Sequence, residues 1–204
     1  MKILAFDTCL DKTYITLNDD NKIIKSEIIF SDGENYHSAY LISTIVKILK
    51  EAKLEPKDLD LIATDIGPGS FTGIRACVTV ARVLAQQLNI KVVGVSSLEI
   101  LSKILGDNDL VVLDARKNKA YVYDGDVKGA IELEKVDEIV KGKRVITDNN
   151  LKERLSRNAF NAISYQEGNY PLGDILSKIA LTKEKTEWAK LKPLYIQPPP
   201  VFGK

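Results

Sequence analysis

The feature that most constrains the fold of this chain is a glycine-rich segment between two apolar runs. It reads Gly-Pro-Gly-Ser-Phe-Thr-Gly-Ile-Arg at positions 67–75, after the apolar stretch 61–66 and before residues 74–88, which have helical periodicity. A strand that ends in such a turn and leads into a helix directs unpaired backbone N–H groups at one point, where the helix dipole favours an anion. The segment therefore predicts a strand–turn–helix unit, with the turn as a phosphate cradle or the remnant of one.

The turn by itself does not identify a nucleotide site. It matches neither the dinucleotide fingerprint nor a Walker loop, because no Lys-Ser/Thr pair follows the last glycine. Pro68 fixes φ and the glycines permit positive φ, so a tight connection without any ligand explains the same residues. Both interpretations stay open at this point.

Composition indicates an ordinary globular protein. The 204 residues are 45% hydrophobic and 28% charged, with a net charge of +1. The length suits one large domain or two small ones, and the charge argues against a strong general affinity for nucleic acid or acidic membranes. No apolar run approaches the roughly 20 residues of a membrane span, and Asp7 comes too early for a signal peptide. We therefore expect a cytoplasmic protein with no membrane partner.

The few cysteines and histidines limit the chemistry. Cys9 and Cys77 have no metal-binding spacing and form no disulfide framework, which is typical of a reducing compartment. His37 is the only histidine, so a two-histidine metal site within one chain is excluded. Leu41, one helical turn later, cannot ligate a metal. We expect His37 to be solvated or to contact a partner rather than to catalyse.

The order of predicted elements indicates a duplicated α/β unit. Strands at 2–6, 13–17 and 22–30 form a β-meander, followed by a helix at 37–53, a strand at 61–66, a helix at 74–88, a strand at 91–95 and a short helix from 96. Strands at 110–113, 120–123, 129–133 and 144–146, with helices at 134–140, 149–157 and 172–182, repeat the pattern in a smaller form. We expect an N-terminal domain at 1–105 and a smaller C-terminal domain at 106–192, with 193–204 as a candidate completion of the first.

Two helices of the first half carry unusually broad apolar arcs. In the helix 74–88 one polar stripe contains Arg75 and Arg82, and the rest is apolar over about 220°, whereas a surface helix needs an arc of a little over about 100°. The helix 39–52 is similarly broad. The two helices either cover each other or use the surplus in a four-helix contact with a second protein.

Several further short motifs accompany the glycine-rich run, and together they lie at 4–8, 36–38, 66–75, 95–99, 113–116 with 120–121, and 192–197. In these motifs, which span most of the chain in the same order, the sequence resembles the TsaB (YeaZ) family. Ile196 and Gln197 depart from the family's Pro-x-Tyr-Leu-Arg element. The run at 66–75 is specific, and the resemblance is strongest over 1–105.

The resemblance implies the actin-like ATPase fold of sugar kinases and Hsp70, with two related α/β domains, the second reduced. It also implies a non-catalytic partner that binds and activates the TsaD transferase, together with TsaE, in threonylcarbamoyl-adenosine modification of tRNA. Such a chain would not be an enzyme on its own and would bind tRNA only through the complex. It would hold no cofactor of its own, with ATP or ADP at the complex interface, and could form a homodimer when alone.

The resemblance further implies that the metal site of the transferase is absent. That enzyme holds its metal with a His-x-x-x-His pair in a segment of the form Gly-Val-x-His-Leu-Glu-Gly-His. The corresponding segment here, 94–101, has Ser97 and Leu101 in place of the two histidines. Neither residue replaces an imidazole ligand, so no metal is expected.

Candidate site residues follow from the two helices and the turn. Interface residues are expected on the helices: His37, Tyr40, Leu41, Thr44, Ile45, Ile48, Phe71, Ile74, Arg75, Val78 and Arg82. Vestigial phosphate-binding geometry is expected at Asp7, Thr8, Gly67, Gly69 and Ser70. Arg75 and Arg82 either meet a carboxylate or phosphate at the interface or form a solvated stripe. Asp114 and Arg116 are expected to form a salt bridge.

The main alternative is an active ATP-dependent phosphotransferase or ATPase of the same fold. It would use Asp7 or Asp65 to hold Mg²⁺ or a water, and the turn at Gly67 to hold phosphate. A protease is a further alternative, but no second histidine is present to serve a Ser-His or Cys-His mechanism.

Overall fold

The computed structural model of the chain describes residues 1–31, 37–106 and 109–197. The motif residue Tyr36, the side chain of His37, and residues 198–204 of the candidate domain completion lie outside the described part.

The first sheet has five strands in the order β3-β2-β1-β4-β5 within the described residues. Strands β1 (Lys2–Asp7), β2 (Thr13–Asp19) and β3 (Lys22–Ile29) form the predicted antiparallel meander. β4 (Leu61–Asp65) and β5 (Lys91–Val95) add in parallel, with Phe6 opposite Thr64. The carboxyl ends of β1 and β4 therefore meet at one edge of the sheet. The turn at 8–12 follows β1 there, and the glycine turn at 67–75 follows β4.

Helices α1 (Leu41–Glu51) and α2 (Phe71–Leu88) cover one face of this sheet. A short 3₁₀ turn, His37–Tyr40, precedes α1. α2 begins three residues earlier than the apolar periodicity suggests, because Ser70 caps it by accepting the N–H of Gly73. Both helices bury their apolar stripes against alternate residues of the strands, which include Leu4, Phe6 and Ile15.

The second sheet repeats the topology of the first. After α3 (Ser97–Leu101) come β6 (Leu110–Arg116), β7 (Lys119–Tyr123), β8 (Val127–Glu132), α4 (Leu133–Ile139), β9 (Arg144–Thr147), α5 (Asn149–Leu155) and β10 (Asn161–Ser164). The strand order is β8-β7-β6-β9-β10, with β9 and β10 parallel to β6. This confirms the duplicated α/β fold. Sequence analysis missed β10, because only Ala162 and Ile163 are apolar in its four residues.

Helix α6 (Leu172–Thr182) packs on the face of the first sheet opposite α1 and α2. Thr16 of β2 donates a hydrogen bond to Asp174 at 2.8 Å, and Asn18 donates to Ser177 at 2.9 Å. Glycine at position 173 allows α6 to approach β2 closely, since a Cβ there would lie 2.6 Å from the Thr16 hydroxyl. The first sheet is thus a layer with α1 and α2 on one face and α6 on the other.

The contacts divide the chain at different points from those expected. One compact unit comprises Met1–Ser97 with Pro171–Leu194, and the other comprises Leu98–Tyr170 with residues 195–197. Sequence analysis placed 172–182 in the second domain because that helix follows the second set of strands. The structure corrects this, because the apolar side of α6, with Leu172 and Leu176, is buried on the first sheet.

A separate finding concerns membranes. No helix in residues 1–31, 37–106 or 109–197 combines the length and the apolar character needed to cross a bilayer.

Candidate functional site

The glycine turn packs directly on the backbone of the turn that follows β1. A Cβ at Gly69 would lie 2.2 Å from the carbonyl oxygen of Cys9, and one at Gly73 would lie 1.9 Å from that of Thr8. Side chains cannot be accommodated at such distances, so glycine is required at both positions by close approach. Gly67 has φ +99°, which only glycine adopts readily. The glycines of this segment therefore serve contact between two parts of the chain.

Three backbone amides of the turn are bonded to oxygens of the chain itself. Ser70 N–H donates to the Cys9 carbonyl at 2.7 Å, Gly73 N–H to Ser70 Oγ at 3.3 Å, and Gly67 N–H to Asp65 Oδ1 at 2.7 Å. In a phosphate cradle such amides point at the ligand. The fold brings Asp7, Thr8, Gly67, Gly69 and Ser70 together around internal contacts, and their vestigial phosphate-binding role stays a prediction.

Two carboxyl groups lie completely buried where β1 and β4 end. Asp7 Oδ1 accepts the N–H of Cys9 at 2.6 Å, and Ser97 Oγ donates to both oxygens of Asp65 at 2.9 and 2.7 Å. Burial raises the pKa of Asp7 well above its usual range, and the neighbouring charge of Asp65 raises it further. Burial also raises the pKa of Asp65, to about 6, although the donors Ser97 and Gly67 oppose this. The pair is therefore suited to keeping a proton.

The residues at the transferase's metal positions do not fit a metal ion. The hydroxyl of Ser97 is committed to Asp65, and Leu101 is fully buried. Aliphatic carbon offers no lone pair, so the two positions cannot hold the ion that a pair of histidines would.

Asp114 and Arg116 do not form the expected salt bridge. Asp114 instead accepts the backbone N–H of Arg116 at 2.7 Å and the amide of Asn150 at 3.2 Å. Arg116 has φ +61°, as part of a left-handed turn that continues through Lys117 and Asn118. The carboxylate therefore organises a turn, and the guanidinium is not its partner.

Five of the predicted interface side chains are in the core of the first unit and could not contact a partner. These are Leu41, Ile45, Ile48, Ile74 and Val78, none more than 5% exposed. The sequence prediction failed here because helical periodicity gives the width of an apolar arc but not which part the sheet covers. Tyr40, Thr44 and Arg82 are half-buried, while Phe71 and Arg75 are exposed.

The apolar residues that α1 does expose lie on the flank facing α2. Ile42 is 62% and Val46 60% exposed, one helical turn apart. The opposite flank carries Lys47 and Glu51, which form ion pairs with Glu27 and Lys25 of the edge strand β3. Since β3 lies at one end of the sheet and α2 covers the other, the Ile42–Val46 flank is directed towards α2.

α2 also exposes apolar side chains, on the side away from Arg82. Val83 is 51% exposed, and Ala76 and Val80 on the same flank are half-buried. On the other flank the guanidinium of Arg82 lies 5.7 Å from the ring of Trp188, beside β5. We call Ile42, Val46, Ala76, Val80 and Val83 the α1–α2 patch. The sequence predicted the two helices, but Ile42, Val46 and Val83 were not among the predicted interface residues. Their positions at the end of each apolar arc are the feature of the sequence that could have identified them.

Phe71 and Arg75 lie on the outer surface of α2. The guanidinium of Arg75 is 3.8 Å from the centroid of the Phe71 ring, a cation–π contact. The contact holds the arginine against the helix start, and among residues 1–31, 37–106 and 109–197 no partner occupies its N–H groups, which an acidic group could therefore reach.

Comparison with known proteins identifies the relatives of this fold. Residues 27–166 match the family model of TsaD, tRNA N6-adenosine threonylcarbamoyltransferase. The tRNA threonylcarbamoyladenosine biosynthesis protein TsaB of Buchnera aphidicola (Schizaphis graminum) is 36% identical over 104 residues, which are 50% of this chain and 47% of that protein. TsaB of Bacillus subtilis is 34% identical over 124 residues, 59% of this chain and 53% of that protein.

The chain thus spans about half the length of these curated relatives. In structure it is similar to YeaZ from Pseudomonas aeruginosa, with a TM-score of 0.75 and 22% identity, covering 95% of this chain and 99% of that one. The duplicated sheets are those of the actin-like fold. By the family model the chain belongs to the TsaD family, and within it the curated relatives and the fold group it with the TsaB (YeaZ) proteins.

Proposed function

We propose that this protein is a non-catalytic partner that binds and activates a TsaD-type transferase in threonylcarbamoyladenosine modification of tRNA. It acts in the cytoplasm, joins TsaE in the assembly and meets tRNA through the complex. The single observation that carries the proposal is the exposed α1–α2 patch on a family fold that has Ser97 and Leu101 at the transferase's metal positions.

The patch supports the binding half of this proposal. Three of its aliphatic side chains, Ile42, Val46 and Val83, are each more than half exposed, and they lie on two helices that pack on the same face of the first sheet. Exposed apolar surface is typical of protein–protein contact sites. A pair of helices from the partner would complete a four-helix arrangement, and Arg75 at its border would pair with a carboxylate of that protein.

The glycine turn supports the non-catalytic half. Three of the amides that would bind phosphate are bonded to Cys9, Ser70 and Asp65, so a phosphate that used them would have to displace these contacts. We therefore place ATP or ADP, where it takes part, at the interface with the transferase, and we assign this chain no cofactor in the reaction.

The binding test is co-purification with a tagged TsaD-type transferase. The double variant Ile42→Asp/Val46→Asp is expected to lose at least about tenfold in affinity, because two charges would be buried in the contact. The matched control is Phe160→Asp, since Phe160 is 81% exposed but lies in the second unit. Retention of the double variant at the wild-type level would contradict the proposed surface.

The activation test is transferase activity with and without this chain. Activity that depends on the wild-type chain but not on the double variant is the expected result. Tight Mg·ATP binding with turnover by the isolated chain, measured by calorimetry and phosphate release, would instead support the phosphotransferase alternative. A homodimer that dissociates on the same double substitution would indicate that self-association and partner binding use one surface.

A further inference from the structure

The two edge strands of the first sheet differ in whether their outer backbone groups are covered. At one edge, Val92 of β5 and Thr186 exchange two backbone hydrogen bonds, each 2.9 Å long. At the other edge, β3 pairs with β2, and within residues 1–31, 37–106 and 109–197 no other segment pairs with its outer side. A strand edge of this kind presents a row of N–H and C=O groups that another strand can pair with.

The charged side chains of β3 lie on the face of the sheet that α1 covers. Lys25 and Glu27 are two residues apart and of opposite sign, and each forms an ion pair with α1. The side chain of Lys25 is 37% exposed, so this pairing leaves it open to a further contact. The edge therefore carries one positive and one negative group on the same face.

The opposite face of β3 is more apolar. The hydroxyl of Ser26 lies 3.0 Å from that of Thr16, which is bonded to α6. Ile28 and Phe30 follow Ser26 at a spacing of two and so share its face. Ile28 is half-buried, while Phe30 and Ile24 are exposed.

The order of charges selects one register for antiparallel pairing of β3 with a second copy of itself. If Ser26 lies opposite Ser26 of the second copy, Lys25 lies opposite Glu27 and Glu27 opposite Lys25. Opposite charges in facing positions stabilise a strand pair, whereas a centre at Lys25 or at Glu27 would place like charges opposite each other. In the favoured register Ile24 also lies opposite Ile28 of the second copy, so that apolar side chains cover one another.

We propose that β3 is a self-association surface, through which two copies of this chain pair antiparallel about Ser26 and join their first sheets. The occupant is a second copy because β3 supplies both members of each charge pair at the spacing that two-fold symmetry requires. Backbone hydrogen bonds along the edge would provide the attraction, and the two Lys25–Glu27 pairs would fix the register.

Charges and bulges on edge strands often prevent such pairing, but those of β3 do not. Charges prevent it when like signs face each other, and here the signs alternate about the centre. The ladder with β2 is irregular between Leu17 and Asn18, which leaves Ile24 without an opposite residue. The central positions 25–27 lie beyond this irregularity, in the regular part of the ladder.

This surface is independent of the proposed function. The ion pairs of Lys47 and Glu51 place β3 on the flank of α1 opposite Ile42 and Val46. Loss of self-association through β3 would therefore leave the α1–α2 patch free to bind a transferase, and each surface can be tested without the other.

The first test is the mass of the full-length chain by sedimentation over a range of concentrations. A reversible dimer is expected, and Glu27→Lys should weaken it at least about tenfold, because lysines would then face each other twice. The double variant Lys25→Glu/Glu27→Lys restores opposite charges and should return the dissociation constant to within about threefold of wild type. The control Lys47→Glu breaks the same ion pair from the α1 side and should leave the dimer unchanged.

Three outcomes would overturn the proposal. One is a monomer at every concentration up to about 200 μM. Another is a double variant no stronger in association than Glu27→Lys. The third is a dimer that Ile42→Asp/Val46→Asp abolishes, since that dimer would use the α1–α2 patch.

A second measurement detects the pairing even when the dimer is weak. Ser26→Cys places two thiols next to each other at the centre of the pairing, so a short bis-maleimide should join two copies, as seen by denaturing electrophoresis. The matched control is Lys57→Cys, because Lys57 is exposed and lies between α1 and β4. Cys9 and Cys77 are buried and present in both variants. Equal yields of joined copies from the two variants would refute a specific contact at β3.

Discussion

At the scale of single residues, the buried pair Asp7 and Asp65 governs how stability responds to pH. The pKa of each carboxyl is raised in the folded state by burial, and that of Asp65 reaches about 6. From about pH 4 upward the unfolded chain releases these protons first, so the folded state binds more protons. The contribution of the pair to stability is therefore full at low pH and declines as pH rises through the folded-state values.

The variant Asp7→Asn should remove much of this decline. The amide keeps an acceptor for Cys9 N–H and adds a donor that can reach Asp65. A buried polar group without a hydrogen-bond partner costs about 1–3 kcal/mol, so this donor should stabilise the folded variant. In urea unfolding with a metal chelator present, the free energy of unfolding of the variant should rise relative to that of the wild type between pH 5 and pH 7.5. Asp60→Asn is the control, since Asp60 is exposed and also accepts a backbone N–H, from Lys2. An equal difference from wild type at both pH values would contradict the assignment.

At the scale of elements, each of α1 and α2 has a buried face that holds the fold and an exposed flank available for binding. Neighbouring residues on α1 separate the two roles, because Ile45 is 5% exposed and Ile42 is 62% exposed. Helical periodicity predicted both helices and their breadth. Periodicity could not predict which residues of each apolar arc are buried and which are exposed. That depends on which strands lie beneath the helix and on the ion pairs of Lys47 and Glu51 with β3.

The pair of variants Ile45→Asp and Ile42→Asp should separate these roles. A charge at Ile45 is expected to cost about 4 kcal/mol or more, because it would be buried without a partner. The same change at Ile42 should alter stability by no more than about 0.5 kcal/mol. Chemical denaturation followed by circular dichroism measures both. Similar losses at the two positions would show that Ile42 is not a surface residue.

At the scale of the whole molecule, two sheets of the same topology are built from different stretches of chain. The second sheet uses consecutive residues, whereas the first needs α6, which returns from the far end of the sequence. Repetition of strands and helices predicted the duplication, but not which of the two sheets α6 packs on. The packing of α6 depends on which sheet face is left uncovered, and on hydrogen bonds from Thr16 and Asn18.

Truncation after Gly168 should therefore unfold the first unit and spare the second. Truncation removes Leu172 and Leu176, whose burial is worth about 1.5–3 kcal/mol each, and exposes the strand face that they cover. Hydrogen exchange should become fast in β1 and β2 and stay slow in β6 and β9. Slow exchange throughout would show that α6 is dispensable, and truncation after Lys183, which keeps α6, is the control.

The sequence by itself determined the family motifs, the order of nearly all elements and the absence of a histidine pair, because these depend on local periodicity and residue identity. Tertiary structure decided three things that no local pattern contains. It assigned α6 to the first sheet, it left Ile42, Val46 and Val83 on the surface while burying Ile45 and Ile74, and it brought Cys9, Cys77 and Asp7 together. Each is a contact between distant segments, and such contacts are set by which surfaces remain to be covered once the strands have paired.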